Sequence, residues 1–165
     1  MNDVTIAANI AKVLEQVSLA AEKYGRRDSD IRLLAVSKTQ DAEAVRSAAA
    51  QGVRDFGENY LQEALGKIEA CRDLDLCWHF IGPLQSNKTR LVAEHFDWVH
   101  SVDREKLLRR LSEQRPDGLD PLNVCLQVNV SGEGTKAGVA PEALAALIDL
   151  AATLPRLRLR GLMAI

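Results

Sequence analysis

Apolar positions along the chain switch between two spacings. Residues 4–24 set Ile6, Ile10, Val13, Leu14, Val17, Ala20 and Ala21 at helical intervals, and Gly25 follows as a C-cap. Asp28-Ser29-Asp30 then turns the chain into a short continuous apolar run at 31–37. A run of that length without alternation predicts a strand covered on both faces, as in a parallel sheet. The two patterns then take turns. Asp41 caps an alanine-rich helix at 42–51, which Gly52 stops, and a strand follows at 53–57. Glu58-Asn59-Tyr60 opens a helix to about Ala70, and a strand at 76–81 is broken by Gly82-Pro83. A helix at 87–94 precedes a strand at 98–102, and Asp103 caps a helix to about Ser112. After a polar loop at 114–121 comes a strand at 123–130, then a Gly-rich loop at 131–138. Pro141 starts a helix to about Leu154, and a last strand occupies 157–165.

Strict strand–helix alternation with short loops implies parallel strands joined by right-handed crossovers. A doubly wound sheet and a (β/α)8 barrel of the TIM type both satisfy it. The nucleotide-binding doubly wound sheet carries a Gly-rich loop after its first strand. Here that place holds Ser37-Lys38-Thr39-Gln40, so the barrel is favoured, with residues 1–27 as a leading helix and 1–165 as a single domain.

Composition narrows the picture further. The 165 residues are 47% hydrophobic and 27% charged, as in ordinary soluble domains, and the net charge of −2 gives no electrostatic case for nucleic acid. No apolar run is expected to span a membrane, and the first residues show no basic-then-apolar leader. Cys71, Cys77 and Cys125 have no metal-like spacing, which reads as reduced cysteines in a cytoplasmic protein. The three histidines offer no i, i+4 pair, so a zinc site is not expected.

In a barrel the residues just past each strand converge on one mouth. Those positions hold Lys38; Gly57-Glu58-Asn59; His79 with Ile81-Gly82-Pro83; His100-Ser101; Asn129 with the loop to Lys136; and Met163. A desolvated lysine at a strand end can act as a nucleophile toward a carbonyl, whereas the plainer reading is a lysine that ends its strand in water. His79 alone reads as a hydrogen-bonded core residue. Ser86-Asn87-Lys88-Thr89-Arg90 reads as a helix start that can hold a phosphate or simply a solvated turn. The loop from Gly132 to Gly138 fails the Walker pattern and is better described as a flexible loop with one lysine.

Five segments together resemble the pyridoxal phosphate homeostasis protein family. They are Leu34-Ala35-Val36-Ser37-Lys38-Thr39; Phe56-Gly57-Glu58-Asn59-Tyr60; Trp78-His79-Phe80-Ile81-Gly82-Pro83-Leu84-Gln85-Ser86-Asn87-Lys88; Gln127-Val128-Asn129-Val130-Ser131 with Lys136-Ala137-Gly138; and Leu159-Arg160-Gly161-Leu162-Met163-Ala164-Ile165. The resemblance implies a barrel like the N-terminal domain of alanine racemase. It implies pyridoxal 5′-phosphate (PLP) held as a Schiff base, an internal aldimine, on Lys38. It places Asn59, His79 and Met163 around the cofactor ring and Lys136 as an auxiliary amine. It further implies a monomeric cytoplasmic carrier without established turnover, which serves vitamin B6 balance and PLP-dependent client enzymes. The alternative within the same fold is an amino-acid racemase. In that family two more strand–helix units, with the phosphate-gripping loops, follow the Met163 strand. The sequence stops at Ile165, so the expectation is a C-terminally truncated barrel with about six of eight strands, open edges prone to self-association, and weak cofactor retention.

Overall fold

The structure, a computed structural model, describes residues 3–165. Six strands form one sheet: β1 (Leu34–Val36), β2 (Asp55–Glu58), β3 (Cys77–Phe80), β4 (Trp98–Val102), β5 (Leu122–Gln127) and β6 (Leu157–Met163). Every neighbouring pair is parallel, and the spatial order is the chain order, β1 to β6. A doubly wound sheet reverses its order at a switch point. This one never does, which is the topology of a barrel wall.

Helices α1 (Asp3–Lys23), α2 (Ala42–Ala50), α3 (Leu61–Ala70), α4 (Thr89–His95), α5 (Glu105–Gln114) and α6 (Leu144–Thr153) complete the alternation. The main core lies between the sheet and these helices. Phe56, Trp78, Phe80, Val99, Val124 and Leu126 face it from the strands, and Val45, Ala64, Val92, Leu107, Leu108, Leu111 and Ala151 from the helices. Because strand side chains alternate, Gly57 and His79 fall on the opposite, concave face. A Cβ on Gly57 would lie 3.0 Å from Ile81 and 3.5 Å from Leu34, which identifies those three as concave-face neighbours.

Several boundaries differ from the sequence expectation. The apolar run at 31–37 pairs only over β1, because β2 meets it at Leu34 to Val36 alone. Glu58 closes β2 and does not open α3, which starts at Leu61. Asp103 forms an ion pair with Arg104 and makes no cap; α5 begins at Glu105. Pro141 begins a 3-10 turn, Pro141–Ala143, that leads into α6. Asp41 does cap α2, accepting a hydrogen bond from the Ala44 amide at 2.9 Å.

α1 also departs from expectation. Val4–Lys23 is long and apolar enough, by length and composition, to cross a membrane. Its packing is that of a covering helix: Ile6 and Ala21 are buried and Ile10 lies against the core, while Val13, Leu14 and Leu19 are exposed.

Candidate functional site

The C-terminal end of β1 runs directly into a tight turn at residues 37–40, closed by the Gln40 amide on the Ser37 carbonyl at 3.0 Å. Lys38 occupies the turn and is exposed. Its amine has no hydrogen bond or ion pair among the described residues. Thr39 has φ +63°. A β-branched residue is disfavoured in that region, so the turn is strained beside Lys38. Ser37 lies on the helix side of the sheet, where its hydroxyl donates to Glu58 Oε1 at 2.6 Å.

Below this rim, on the concave face, His79 and His100 form a locked pair. His79 Nε2 lies 2.9 Å from Asp55 Oδ1, and His79 Nδ1 lies 2.9 Å from His100 Nε2. Burial lowers the pKa of His79 against the opposing pull of Asp55. Burial, then the neighbouring His79, lowers His100 to about 4. Both rings are therefore neutral at pH 7. A carboxylate only accepts, so His79 carries its proton on Nε2 and its Nδ1 receives the His100 N–H. His79 stacks on Trp98 with ring centroids 5.3 Å apart. These rings, with Arg32, Leu34, Asn123 and Arg160, line a cavity of about 510 Å³.

Asn59 lines a different cavity, with Tyr60, Pro83 and Lys88. Its Oδ1 is buried without a hydrogen-bond partner. Gly82 packs directly on it, since a Cβ there would lie 2.5 Å from the Asn59 carbonyl oxygen. Met163 ends β6, where its carbonyl accepts from Val128 at 2.9 Å. Lys136 is exposed and ion-paired with Glu133 at 3.0 Å. Lys38, Met163 and Lys136 lie outside both cavity linings. Thus Lys38 and Asn59 stand at neighbouring strand ends, His79 sits deeper in the wall, and Lys136 belongs to a loop of its own. Asn129, read from sequence as a mouth residue, follows the end of β5 and organises that loop: its amide donates to the carbonyls of Glu133 and Lys136, and its Oδ1 accepts the Gly132 amide. Ser86–Lys88 forms a 3-10 turn whose Ser86 carbonyl accepts from Thr89 and Arg110.

Asp55, Cys77 and His79 bring one ligand-type atom each within 4.8 Å of one another. Spacing along the chain could not show this, since Asp55 comes from β2 and reaches Cys77 and His79 of β3 only through strand register. Asp55 already accepts from Arg32 at 3.1 Å, and burial, aided by Asp97 and Asp55, pushes the Cys77 thiol up to about 12. The trio is accordingly a hydrogen-bonded wall cluster around a protonated thiol.

Sequence reasoning missed a second buried cluster. Lys67 on α3 donates to Glu58 Oε1 at 2.8 Å, to the Ser37 carbonyl at 2.6 Å, and to Glu63. Glu63 in turn accepts the Thr39 amide at 2.6 Å, and its hydrogen bond from Lys67 is the main cause holding its carboxyl below the ordinary range. A signal was present: Lys67 stands three residues after buried Ala64, in the stripe that Leu61, Ala64 and Cys71 bury. A charge in a buried stripe needs partners.

Residues 8–165 match the family model of the alanine racemase N-terminal domain. The chain is 67% identical over 161 residues to the pyridoxal phosphate homeostasis protein of Pseudomonas aeruginosa, covering 98% of this chain and 70% of that protein. It is 54% identical over 168 residues to the pyridoxal phosphate homeostasis protein of Escherichia coli, covering 100% of this chain and 71% of that one. Among solved structures it resembles PipY of Synechococcus elongatus with PLP bound, at TM-score 0.77 and 41% identity, over 90% of this chain and 69% of PipY. Alanine racemase from Streptomyces coelicolor shares the fold at TM-score 0.71 and 23% identity, over 98% of this chain and 42% of the racemase.

Proposed function

The chain belongs to the pyridoxal phosphate homeostasis protein family, and from that premise we propose that it binds PLP through Lys38 as a cytoplasmic carrier of the cofactor for PLP-dependent enzymes, without turnover of its own. The observation that carries the proposal is the Lys38 amine: exposed, unpaired among the described residues, and set at a strand's C-terminal end on a strained turn. The neighbouring features fit the group. Asn59 Oδ1 is a buried acceptor in need of a donor, and Gly57 leaves the concave face beneath the rim without a side chain. When bound, the cofactor supplies an aldehyde that a primary amine can capture.

The chain's own residues hold and orient more than they transfer protons. Asp41 is spent on the α2 cap, and Glu63 on Lys67 and Thr39. The neutral His79–His100 pair is locked to Asp55. This leaves the acids and bases nearest the turn engaged, which supports a binding role over a racemase role. His79 serves as a fixed neutral wall, Met163 anchors the end of β6, and Lys136 is an outlying amine held by Glu133.

Mapping a trapped adduct tests the proposal. The protein is incubated with PLP, reduced with borohydride, digested, and its peptides weighed. The pyridoxyl group is expected on the Lys38 peptide in clear excess over every other lysine, with no racemisation of alanine by chiral chromatography. Label distributed evenly over exposed lysines, or none on Lys38, overturns the binding assignment; racemised alanine overturns the non-catalytic one.

A further inference from the structure

Both residues flanking Lys38 are tied to one buried ammonium group. Ser37 is held twice: its carbonyl accepts from Lys67 Nζ at 2.6 Å, and its hydroxyl donates to Glu58 Oε1 at 2.6 Å. Thr39 is held through its amide, which donates to Glu63 Oε1 at 2.6 Å. Lys67 donates to both carboxylates, so its three N–H bonds are all used. The side chain of Lys67 is 5% exposed and that of Glu58 is fully buried. Glu58 Oε2 has no partner.

Such a cluster is a poor way to gain stability. Desolvating an ammonium and a carboxylate costs much of what their attraction returns, and apolar residues of the same size often do as well. What it does provide is geometry. Thr39 sits at φ +63°, the one non-glycine residue with positive φ among the described residues. A strained residue persists only where its surroundings over-determine it. Here the constraints are the three hydrogen bonds from the Glu58–Lys67–Glu63 cluster to residues 37 and 39, and the free amine they bracket is Lys38.

We infer that Lys67, with Glu58 and Glu63, is a positioning device for Lys38: it holds the strained turn at 37–40 from the helix side of the sheet and so sets the direction in which the Lys38 amine leaves the rim. The inference rests on the proposed capture of PLP by Lys38. Lys67 does not touch the cofactor; it acts through the backbone on either side of Lys38.

The test compares wild type with Lys67→Met and Thr39→Gly. Lys67→Met removes the ammonium while keeping an apolar stem of similar length. Thr39→Gly leaves the cluster intact and removes the strain, because glycine accepts positive φ. Two readouts are taken on each. Hydrogen–deuterium exchange of the peptide covering residues 37–40 reports the turn without any cofactor. Borohydride trapping, with peptide mapping and the induced circular dichroism of the bound cofactor, reports the amine. For Lys67→Met the inference expects exchange in that peptide faster by about tenfold or more, unchanged exchange in β4 and β5, and a several-fold loss of trapping selectivity for Lys38. The induced dichroism should fall with it. Thr39→Gly, which keeps all three hydrogen bonds and only relieves the strain, should retain wild-type trapping and dichroism with no loss of thermal stability; a loss of both in it would take the positioning away from the cluster and overturn the inference. Wild-type exchange, selectivity and dichroism in a folded Lys67→Met overturn the inference and leave the cluster merely structural. If Lys67→Met fails to fold, Glu63→Ala, which removes the acceptor of the Thr39 amide and leaves Lys67 on Glu58, decides in its place, and wild-type exchange, trapping and dichroism in it overturn the inference. If wild type traps nothing on Lys38, the cofactor reading fails separately, and the exchange arm still decides whether Lys67 holds the turn.

Discussion

His100 has one described hydrogen-bond partner, and that partner is a second neutral histidine on a carboxylate. Its imidazole hydrogen goes to His79 Nδ1 at 2.9 Å, and His79 passes its own to Asp55 at 2.9 Å. The order of donors leaves no place for a proton on His79 Nδ1. Protonating His79 must therefore break its bond from His100, and protonating His100 must charge a buried ring beside it. The unfolded protein protonates its histidines near the ordinary value of 6.5, whereas the folded one holds His100 neutral down to about 4. Below about 6.5 the unfolded state binds more protons, so stability is present above that pH and is lost as pH falls toward about 4. Urea midpoints measured across this window should decline, and His100→Gln, which keeps a donor for His79, should remove a large part of the slope. A slope unchanged by the substitution would place the titration on other groups. Gly82 makes a second prediction at this scale. A Cβ there would meet Asn59 backbone atoms at 2.5 and 2.7 Å. No rotamer relieves a backbone clash, so Gly82→Ala should cost about 1–3 kcal/mol in urea unfolding, the usual penalty of overpacking.

Among the elements, α5 is the clearest case of a helix defined by one face. Leu107, Leu108 and Leu111 are all fully buried against the sheet, while Arg109 and Glu105 pair on the outside at 2.7 Å. Leu111→Ala should lower the free energy of unfolding by about 2–5 kcal/mol, measured by chemical denaturation, because the packed site cannot collapse around the gap. The same facial contrast explains how far the chain could be read unaided. Periodicity reports burial, and it located every strand and helix of the alternation. It reports nothing about what satisfies a terminus. Asp103 has the chemistry of a cap yet pairs with Arg104, and Glu58 looks like a helix opener yet points into a buried ion cluster. Lys38 was legible because a strand end is a local feature. The Asp55–His79–His100 chain was not, since its members lie on three adjacent strands and meet only through register. Lys67 lay between these cases: its place in the α3 stripe was visible, but its partners across the turn were not.

Over the whole molecule, the sequential strand order leaves β1 and β6 each with a single neighbour among the described residues. The two edges differ in what they present. β1 is three residues long, with a half-exposed Val36, and short edges make poor templates. β6 is seven residues long and carries Leu162, 57% exposed, near its end. Its only charged side chains are Arg158 and Arg160, and Arg160 is turned over the Trp98 ring at 5.6 Å and bonded to Asn123 at 2.7 Å. That leaves the half of the edge around Leu162 without a guarding charge. Backbone donors and acceptors along such an edge can pair with another strand, and two copies meeting edge to edge would satisfy both. The apolar side chains that α1 leaves exposed, Val13, Leu14 and Leu19, add surface that favours association. Expressed as residues 1–165 alone, the polypeptide is expected to self-associate, with the mass from light scattering rising with concentration above that of one chain. Leu162→Lys places a charge on the unguarded half of β6 and should shift the equilibrium toward the single chain without altering far-UV circular dichroism. A wild-type mass that stays at one chain throughout would show that the β6 edge is blunted by its arginines after all, and that Leu162 is tolerated as an isolated apolar residue.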